Sequence, residues 1–202
     1  TVSILADHGI AVSSAHNTAV CGRSGQNISS SVASGILCIN DKHGGALQNS
    51  AELFYNSYYN KKITPVDLVK KMKKENKYIP GIGHAYKNST TNKDKRIEIL
   101  LNYVHNNFIN YELVNYAKEV EKITLTKKEN LILNVDGLIA CSIISAYYHH
   151  YGKKETEELL NLKGLNSIFI ISRTIGLCGT YIDQNRLKQG LYRHNHDTIT
   201  YL

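Results

Sequence analysis

The chain of 202 residues contains two prolines, one methionine and no tryptophan. So few prolines leave long stretches without the residue that most readily ends a helix, since proline has no N–H to donate. The missing tryptophan restricts no chemistry, because 14 tyrosines stand beside it. Cysteine occurs four times, at Cys21, Cys38, Cys141 and Cys178, far apart and never as a Cys-x-x-Cys pair. That spacing excludes a thiolate metal cluster and reads as small, reduced core residues of a cytoplasmic protein. No two histidines stand four residues apart on one helical face, so no metal is expected. The phosphate-binding loop, the dinucleotide fingerprint and the G-x-S-x-G elbow are also missing, which excludes ATP or NAD binding in those ways and weakens a hydrolase reading. No charged-then-apolar leader opens the chain. The most apolar run, Leu131 to Tyr148, is short for a membrane span and carries Asn134 and Asp136, so neither a signal peptide nor a membrane is expected. Acidic residues are scarce, 17 against 24 Lys and Arg, leaving a formal charge of +7 that suits an anionic partner. The densest basic run, Lys70-Lys71-Met72-Lys73-Lys74, has no interleaved aromatics, so it reads as a solvated helix face and no nucleic acid is expected.

What is present is an ordinary globular balance, 42% hydrophobic and 20% charged. Apolar residues recur at helical spacing over 11–23, 29–39, 46–59, 95–106 and 111–123. Thr64-Pro65 with Asp67 reads as an N-cap, a first-turn proline and an acid near the positive helix end, opening a helix to about Asn76. Asp41-Lys42-His43-Gly44-Gly45 reads as a turn. The run 131–148 is apolar nearly all round and belongs at the centre of the fold. Polar helical spacing follows over 154–162, then a long run over 168–187 interrupted by Gly176 and Gly179, then a tail rich in His and Arg. Strand alternation, repeats and low-complexity tracts are not found, so the fold class is all-α.

Three sets of residues carry possible chemistry. Pro80, Gly81, Ile82 and Gly83 bend the backbone just before His84; this is either a turn between helices or a loop that wraps amides around a ligand and aims an imidazole at it. Asp136 stands in the most buried helix, where a carboxylate serves as a base for a carbon acid or as a cap or ion-pair partner. His8, His43 and His84 each adjoin glycine in a turn, within reach of a cleft. His16 reads as a hydrogen-bonded core histidine, and the remaining histidines read as surface. Arg96, Arg173 and Arg193 are isolated, which suits either bidentate contact with carboxylates or ion pairs between helices.

Taken together, Gly81-Ile82-Gly83-His84, Asn134-Val135-Asp136-Gly137, Ala6-Asp7-His8-Gly9 and Ser14-Ala15-His16-Asn17 resemble the citrate synthase superfamily. Within it, Glu119 to Thr124, Lys127 to Gly137 and Asp183 to His194 resemble the citryl-CoA lyase module of ATP-citrate lyases. The resemblance runs over nearly all of residues 1–202 and implies an all-α, citrate synthase-like helical domain without the helices that normally precede His8. It further implies an intertwined homodimer or higher homo-oligomer, associated with ATP-dependent citryl-CoA-forming domains or a subunit carrying them.

The resemblance also implies roles. His8, Arg96, Arg173 and Arg193 would bind the oxaloacetate end of the substrate and its carboxylates, Arg193 acting from a partner subunit. His84 would exchange a proton with the oxygen on the carbon under attack, and Asp136 would act on the methyl carbon of the acetyl thioester. Pro80, Gly81, Ile82 and Gly83 would meet the adenine of coenzyme A, with Lys127 and Lys128 near its phosphates. Three departures stand out. Ala85 follows His84 where the lyase module usually has arginine, and one extra residue separates His84 from Arg96. His43 stands where the lyase module normally has phenylalanine and synthases place the histidine that stabilises the thioester enol. The expected function is cleavage of citryl-CoA to acetyl-CoA and oxaloacetate. The alternatives are a citrate synthase and a non-catalytic oligomerisation module.

Overall fold

The computed structural model describes residues 1–40 and 43–198; Asp41 and Lys42 of the expected turn, and the last four residues of the tail, lie outside the described residues. In chain order the helices are α1 (Val2–Leu5), α2 (Ser13–Arg23), α3 (Ile28–Ile36), α4 (Ala46–Tyr55), a π-helical turn (Asn56–Asn60), α5 (Pro65–Lys74), α6 (Lys95–Asn107), α7 (Glu112–Leu125), α8 (Val135–Tyr151), α9 (Lys153–Asn161), α10 (Asn166–Arg186) and a final 3-10 turn (His196–Thr198). Pairing of extended backbone among the described residues is confined to isolated bridges, so the all-α expectation holds. No single helix among them is long and apolar enough to cross a membrane. The helices form two compact units, one made of Thr1–Gly44 with Ser167–Leu202 and the other of Gly45–Asn166.

In the first unit α2 lies along α3 through small residues. Ser14, Thr18 and Ser31 are fully buried, and a Cβ on Gly35 would meet Thr18 Oγ1 at 2.2 Å, so only glycine permits the approach. Ala15, Val32 and Leu177 form the local apolar core. The expected interruption of the last long helix does not occur, and α10 is continuous across Gly176 and Gly179. A helical glycine costs only about 1 kcal/mol, which a 21-residue helix absorbs. Gly176 also has a packing reason: a Cβ there would fall 1.8 Å from the Ala6 carbonyl oxygen, so its bareness seats the segment leading to His8.

In the second unit α8 is the central helix, with α4, α6, α7 and α9 against it. Leu138, Ile139, Ala140, Cys141 and Ile144 are all at most 1% exposed, as expected of a helix apolar on every side. It begins later than the apolar run, because Asn134 caps it by accepting from the Gly137 N–H, while Leu133 pairs with Ile82 in an isolated bridge. The expected cap of α5 is present: Thr64 Oγ1 accepts from the Asp67 N–H, and Pro65 occupies the first turn. All four cysteines are free thiols; Cys141 is buried, and burial pushes its thiol well above the ordinary range, whereas the other three are half-exposed.

Candidate active site

The second unit holds His84 and Asp136 in one backbone clasp. The Gly83 N–H donates to the Ile132 carbonyl at 2.7 Å, the His84 N–H to the Asn130 carbonyl at 3.0 Å, and the Asn134 N–H to the Gly81 carbonyl at 2.9 Å. Two side-chain amides repeat the contact, Asn134 Nδ2 to the Gly83 carbonyl and Asn130 Nδ2 to the His84 carbonyl. Gly81 and Gly137 lie backbone to backbone: a Cβ on Gly81 would sit 2.7 Å from the Gly137 Cα. Gly81 also has φ +85°, which an L side chain rarely adopts. The bend before His84 is therefore a loop buckled onto the first turn of α8, and Asp136 is the second residue of that turn. It is half-buried there, not deep in the helix as the apolar run suggested, because Asn134 caps the helix just ahead of it. A carboxylate at that position faces the positive end of the helix dipole.

His84 is half-buried, and its Nδ1 accepts the backbone N–H groups of Tyr86 and Lys87, both at 3.0 Å. A nitrogen that accepts two donors carries no hydrogen, so the neutral ring keeps its proton on Nε2. Arg96 lies in the same unit and is gripped by Asp94, Nε to Oδ1 at 2.9 Å and Nη2 to Oδ2 at 2.7 Å. The Asp94 side chain is only 3% exposed. Burial works against its charge, yet the hydrogen bonds and charge of Arg96, with a contribution from His84, hold its carboxyl below the usual carboxylate range. Arg96 is held charged by Asp94, against burial, and also feels the charge of Asp136. Two of its five N–H donors are committed to Asp94, which leaves three for a ligand carboxylate.

Beside the clasp runs a groove of about 460 Å³ whose walls include Met72, Lys73, Lys77, Ile79, Ile82 and Lys127. Its apolar floor and lysine rim have the make-up that a flat heterocycle bearing phosphates requires. Of the residues expected to meet coenzyme A, Ile82 and Lys127 line this groove. Gly81 shapes the loop behind it, and Lys128 is exposed.

The first unit holds His8, His43, Arg173 and Arg193. The half-buried His43 ring has Nε2 2.8 Å from the hydroxyl of the fully buried Ser14 and stands edge-on to Phe169. Arg173, 5% exposed, lies over the same Phe169 ring at 5.0 Å. Burial first, then the charges of Arg173 and His8, lower the His43 pKa from its ordinary value, so the ring is neutral at neutral pH. His8 is exposed, and Asp7 Oδ1 fixes its turn by accepting from the Gly9 N–H. Arg193 is exposed in the tail. The neighbouring Tyr192 ring packs edge-on against the half-buried His16 and under Arg23, whose Nε donates to the Gly190 carbonyl. No group of three or more potential metal ligands occurs among the described residues.

Four contacts escaped the sequence reading: Ser14 beside His43, Asp94 beneath Arg96, and the amides of Asn130 and Asn134 on the His84 loop. Asp94 had a readable signal, since it stands where a cap of the 95–106 helix belongs; its side chain does accept from the Arg96 N–H. The contact of Ser14 with His43 had none, because the two lie 29 residues apart.

Comparison with known proteins agrees with this architecture. The chain is 48% identical over 201 residues to the ATP-citrate synthase of Bos taurus, a match covering 98% of this chain and 18% of that protein. The structure of ATP citrate lyase from Methanothrix soehngenii in complex with citrate and coenzyme A superposes with a TM-score of 0.94 at 42% identity, over 100% of this chain and 33% of the other. The citryl-CoA lyase of Hydrogenobacter thermophilus gives a TM-score of 0.81 at 26% identity, covering 100% of this chain and 73% of that one. The chain thus spans about a fifth to a third of the length of the ATP-citrate synthase and ATP citrate lyase it matches. The family model described as citrate synthase, C-terminal domain, matches residues 1–195, and the chain belongs to that family.

Proposed function

We propose that this chain is the citryl-CoA lyase module of an ATP-citrate lyase-type protein, cleaving citryl-CoA to acetyl-CoA and oxaloacetate. The observation that carries the reading is the clasp that fastens the His84 loop to the first turn of α8, fixing an imidazole and a carboxylate on one scaffold. The relatives add the chemistry, since one is an ATP citrate lyase in complex with citrate and coenzyme A and another is a citryl-CoA lyase.

In cleavage the hydroxyl proton of citryl-CoA passes to Nε2 of the His84 imidazolate, leaving the neutral Nε2–H ring, and the C–C bond breaks to leave oxaloacetate. Its electron pair remains on the acetyl methylene as an enolate, which takes a proton from the Asp136 carboxyl. In the reverse direction the Nε2–H is the donor that a developing alkoxide needs. The Tyr86 and Lys87 N–H groups stabilise the electron-rich ring on the other side of that transfer. Arg96, preset by Asp94, holds a carboxylate without first having to be ordered. His8, Arg173 and Arg193 are assigned to the remaining carboxylates, and coenzyme A to the groove at Ile82 and Lys127, with Pro80, Gly81 and Gly83 supporting its wall. Citryl-CoA would be formed from citrate, coenzyme A and ATP by domains or a subunit beyond this chain, which spans 18% of its bovine relative. A homo-oligomer is part of the same reading.

His43 favours a second reading, citrate synthesis. A neutral imidazole tied to Ser14 is equipped to hydrogen-bond a thioester enol. Two reactions separate the readings: citryl-CoA supplied and oxaloacetate followed, then acetyl-CoA with oxaloacetate supplied and free thiol followed. Oxaloacetate release without sustained thiol release supports the lyase, and sustained thiol release the synthase. Neither product would leave a non-catalytic oligomerisation module. Asp136→Ala should lower either activity by about 10²–10⁴-fold. A fully active Asp136→Ala protein would sink the mechanism.

A further inference from the structure

At the end of α8 remote from Asp136 the second unit carries a pocket that the proposed reaction does not use. Tyr148 in its wall stands twelve residues beyond Asp136, about 18 Å along the helix axis at the usual rise. The cavity measures about 540 Å³ and is walled by Tyr58, Tyr59, Tyr116, Tyr148, Glu112 and Lys62, with the Ile63-Thr64-Pro65 backbone closing one side. It shares no wall residue with the groove at Ile82 and Lys127.

The rings are arranged as a corner. Tyr58 and Tyr59 meet at 80° with centroids 4.9 Å apart, Tyr59 lies flat on Tyr148 at 4.0 Å, and Tyr58 leans on Tyr116 at 5.3 Å. The π-helical turn Asn56–Asn60 supplies both Tyr58 and Tyr59. Such insertions of one extra residue are rare and are frequent at functional sites. Two hydroxyls are tied down, Tyr116 donating to the Ile63 carbonyl at 2.9 Å and Tyr58 to Glu112 Oε2 at 3.1 Å. What these rings then offer is the π surface left uncovered, since Tyr59 and Tyr148 shield one face of each other. The Glu112 carboxylate makes the enclosed space electronegative: after burial, it is a cause of the raised phenol pKa of both Tyr58 and Tyr59. Lys62 is exposed, which leaves its ammonium in water at the rim.

Perpendicular aromatic faces around a carboxylate favour one class of ligand. An anion is repelled by Glu112 and by the ring faces, whereas a cation gains from both, and most when it is alkylated and weakly hydrated. We propose that this pocket is a second binding site, for a small organic cation such as a quaternary or alkylated ammonium. The site is independent of the citryl-CoA reading, and either can fail without the other.

Calorimetric titration of the full chain with choline, and with its uncharged isostere 3,3-dimethyl-1-butanol, tests it. Choline should bind at least about tenfold more tightly than the isostere, a difference of about 1.4 kcal/mol. Glu112→Gln and Tyr59→Leu should each weaken choline by about fivefold, and Lys62→Met should tighten it by removing a like charge. Circular dichroism checks that each variant is folded, and Glu112 is exposed, so its substitution leaves the core untouched. Equal affinity for the isostere, no binding of choline to the wild-type chain, or choline binding unchanged in both folded weakening variants would overturn the proposal.

Discussion

His43 and Ser14 are 29 residues apart and share a 2.8 Å hydrogen bond in the first unit, beside a guanidinium that is itself nearly buried. The burial of His43, followed by the charges of Arg173 and His8, makes stability depend on pH in a definable way. The folded state lowers the His43 pKa from its ordinary 6.5, so below that pH the unfolded chain binds the proton more readily than the folded one. The stabilisation is complete above pH 6.5 and is lost as pH falls from there toward the depressed folded value. Thermal melting at pH 7.5 and 5.5 should show a larger loss on acidification for the wild-type protein than for His43→Phe, whose ring keeps the packing on Phe169 without a proton to bind. An equal loss in both proteins would mean that His43 does not titrate against the fold. The same substitution in the two assays decides whether the imidazole contributes to turnover.

At the level of elements, the clasp between the Gly81–His84 loop and the start of α8 has one irreplaceable feature, the contact of two bare backbones. A Cβ on Gly137 would come within 2.6 Å of the Gly81 carbonyl oxygen, so Gly137→Ala must push the loop away from the helix. A displacement of about 1 Å between catalytic groups costs on the order of 10²-fold in rate. Gly137→Ala should therefore lower oxaloacetate release from citryl-CoA by roughly that factor, with circular dichroism still reporting a folded helical protein. A variant with wild-type turnover would show that the loop and the helix need not be fastened for the reaction. Capping explains why the helix begins where it does: Asn134 turns its side chain to the Gly137 N–H, and just before it the carbonyls of Asn130 and Ile132 accept from the loop N–H groups of His84 and Gly83 instead of continuing the helix.

For the molecule as a whole, the second unit owes its cohesion to α8, which is enclosed by α4, α6, α7 and α9. Ile144 is fully buried midway along it. Ile144→Ala should cost about 2–5 kcal/mol through lost transfer energy and the cavity left behind. In a chain of this size that corresponds to a melting temperature lower by roughly 4–20 °C. A melting curve that does not move would remove α8 from the centre of the unit.

Much of this was legible in the one-dimensional pattern, and for local reasons. Helix periodicity, the Thr64-Pro65-Asp67 cap and the apolar character of 131–148 depend on residues within a turn or two of each other, so the sequence alone determined the all-α class, most helix positions and the glycine bend before His84. The motifs Gly81 to His84 and Asn134 to Gly137 were likewise readable as single stretches. Only the tertiary structure decided what those stretches do to one another. Asp136 moved from the interior of a helix to its first turn because Asn134 finds partners in a loop some fifty residues earlier. Gly176 leaves α10 continuous because the chain at Ala6 needs its missing side chain. Asp94 beneath Arg96, Ser14 beneath His43 and the tyrosine corner at the far end of α8 are contacts that close only when the chain has folded. Periodicity records which face of a helix is buried and leaves open against what.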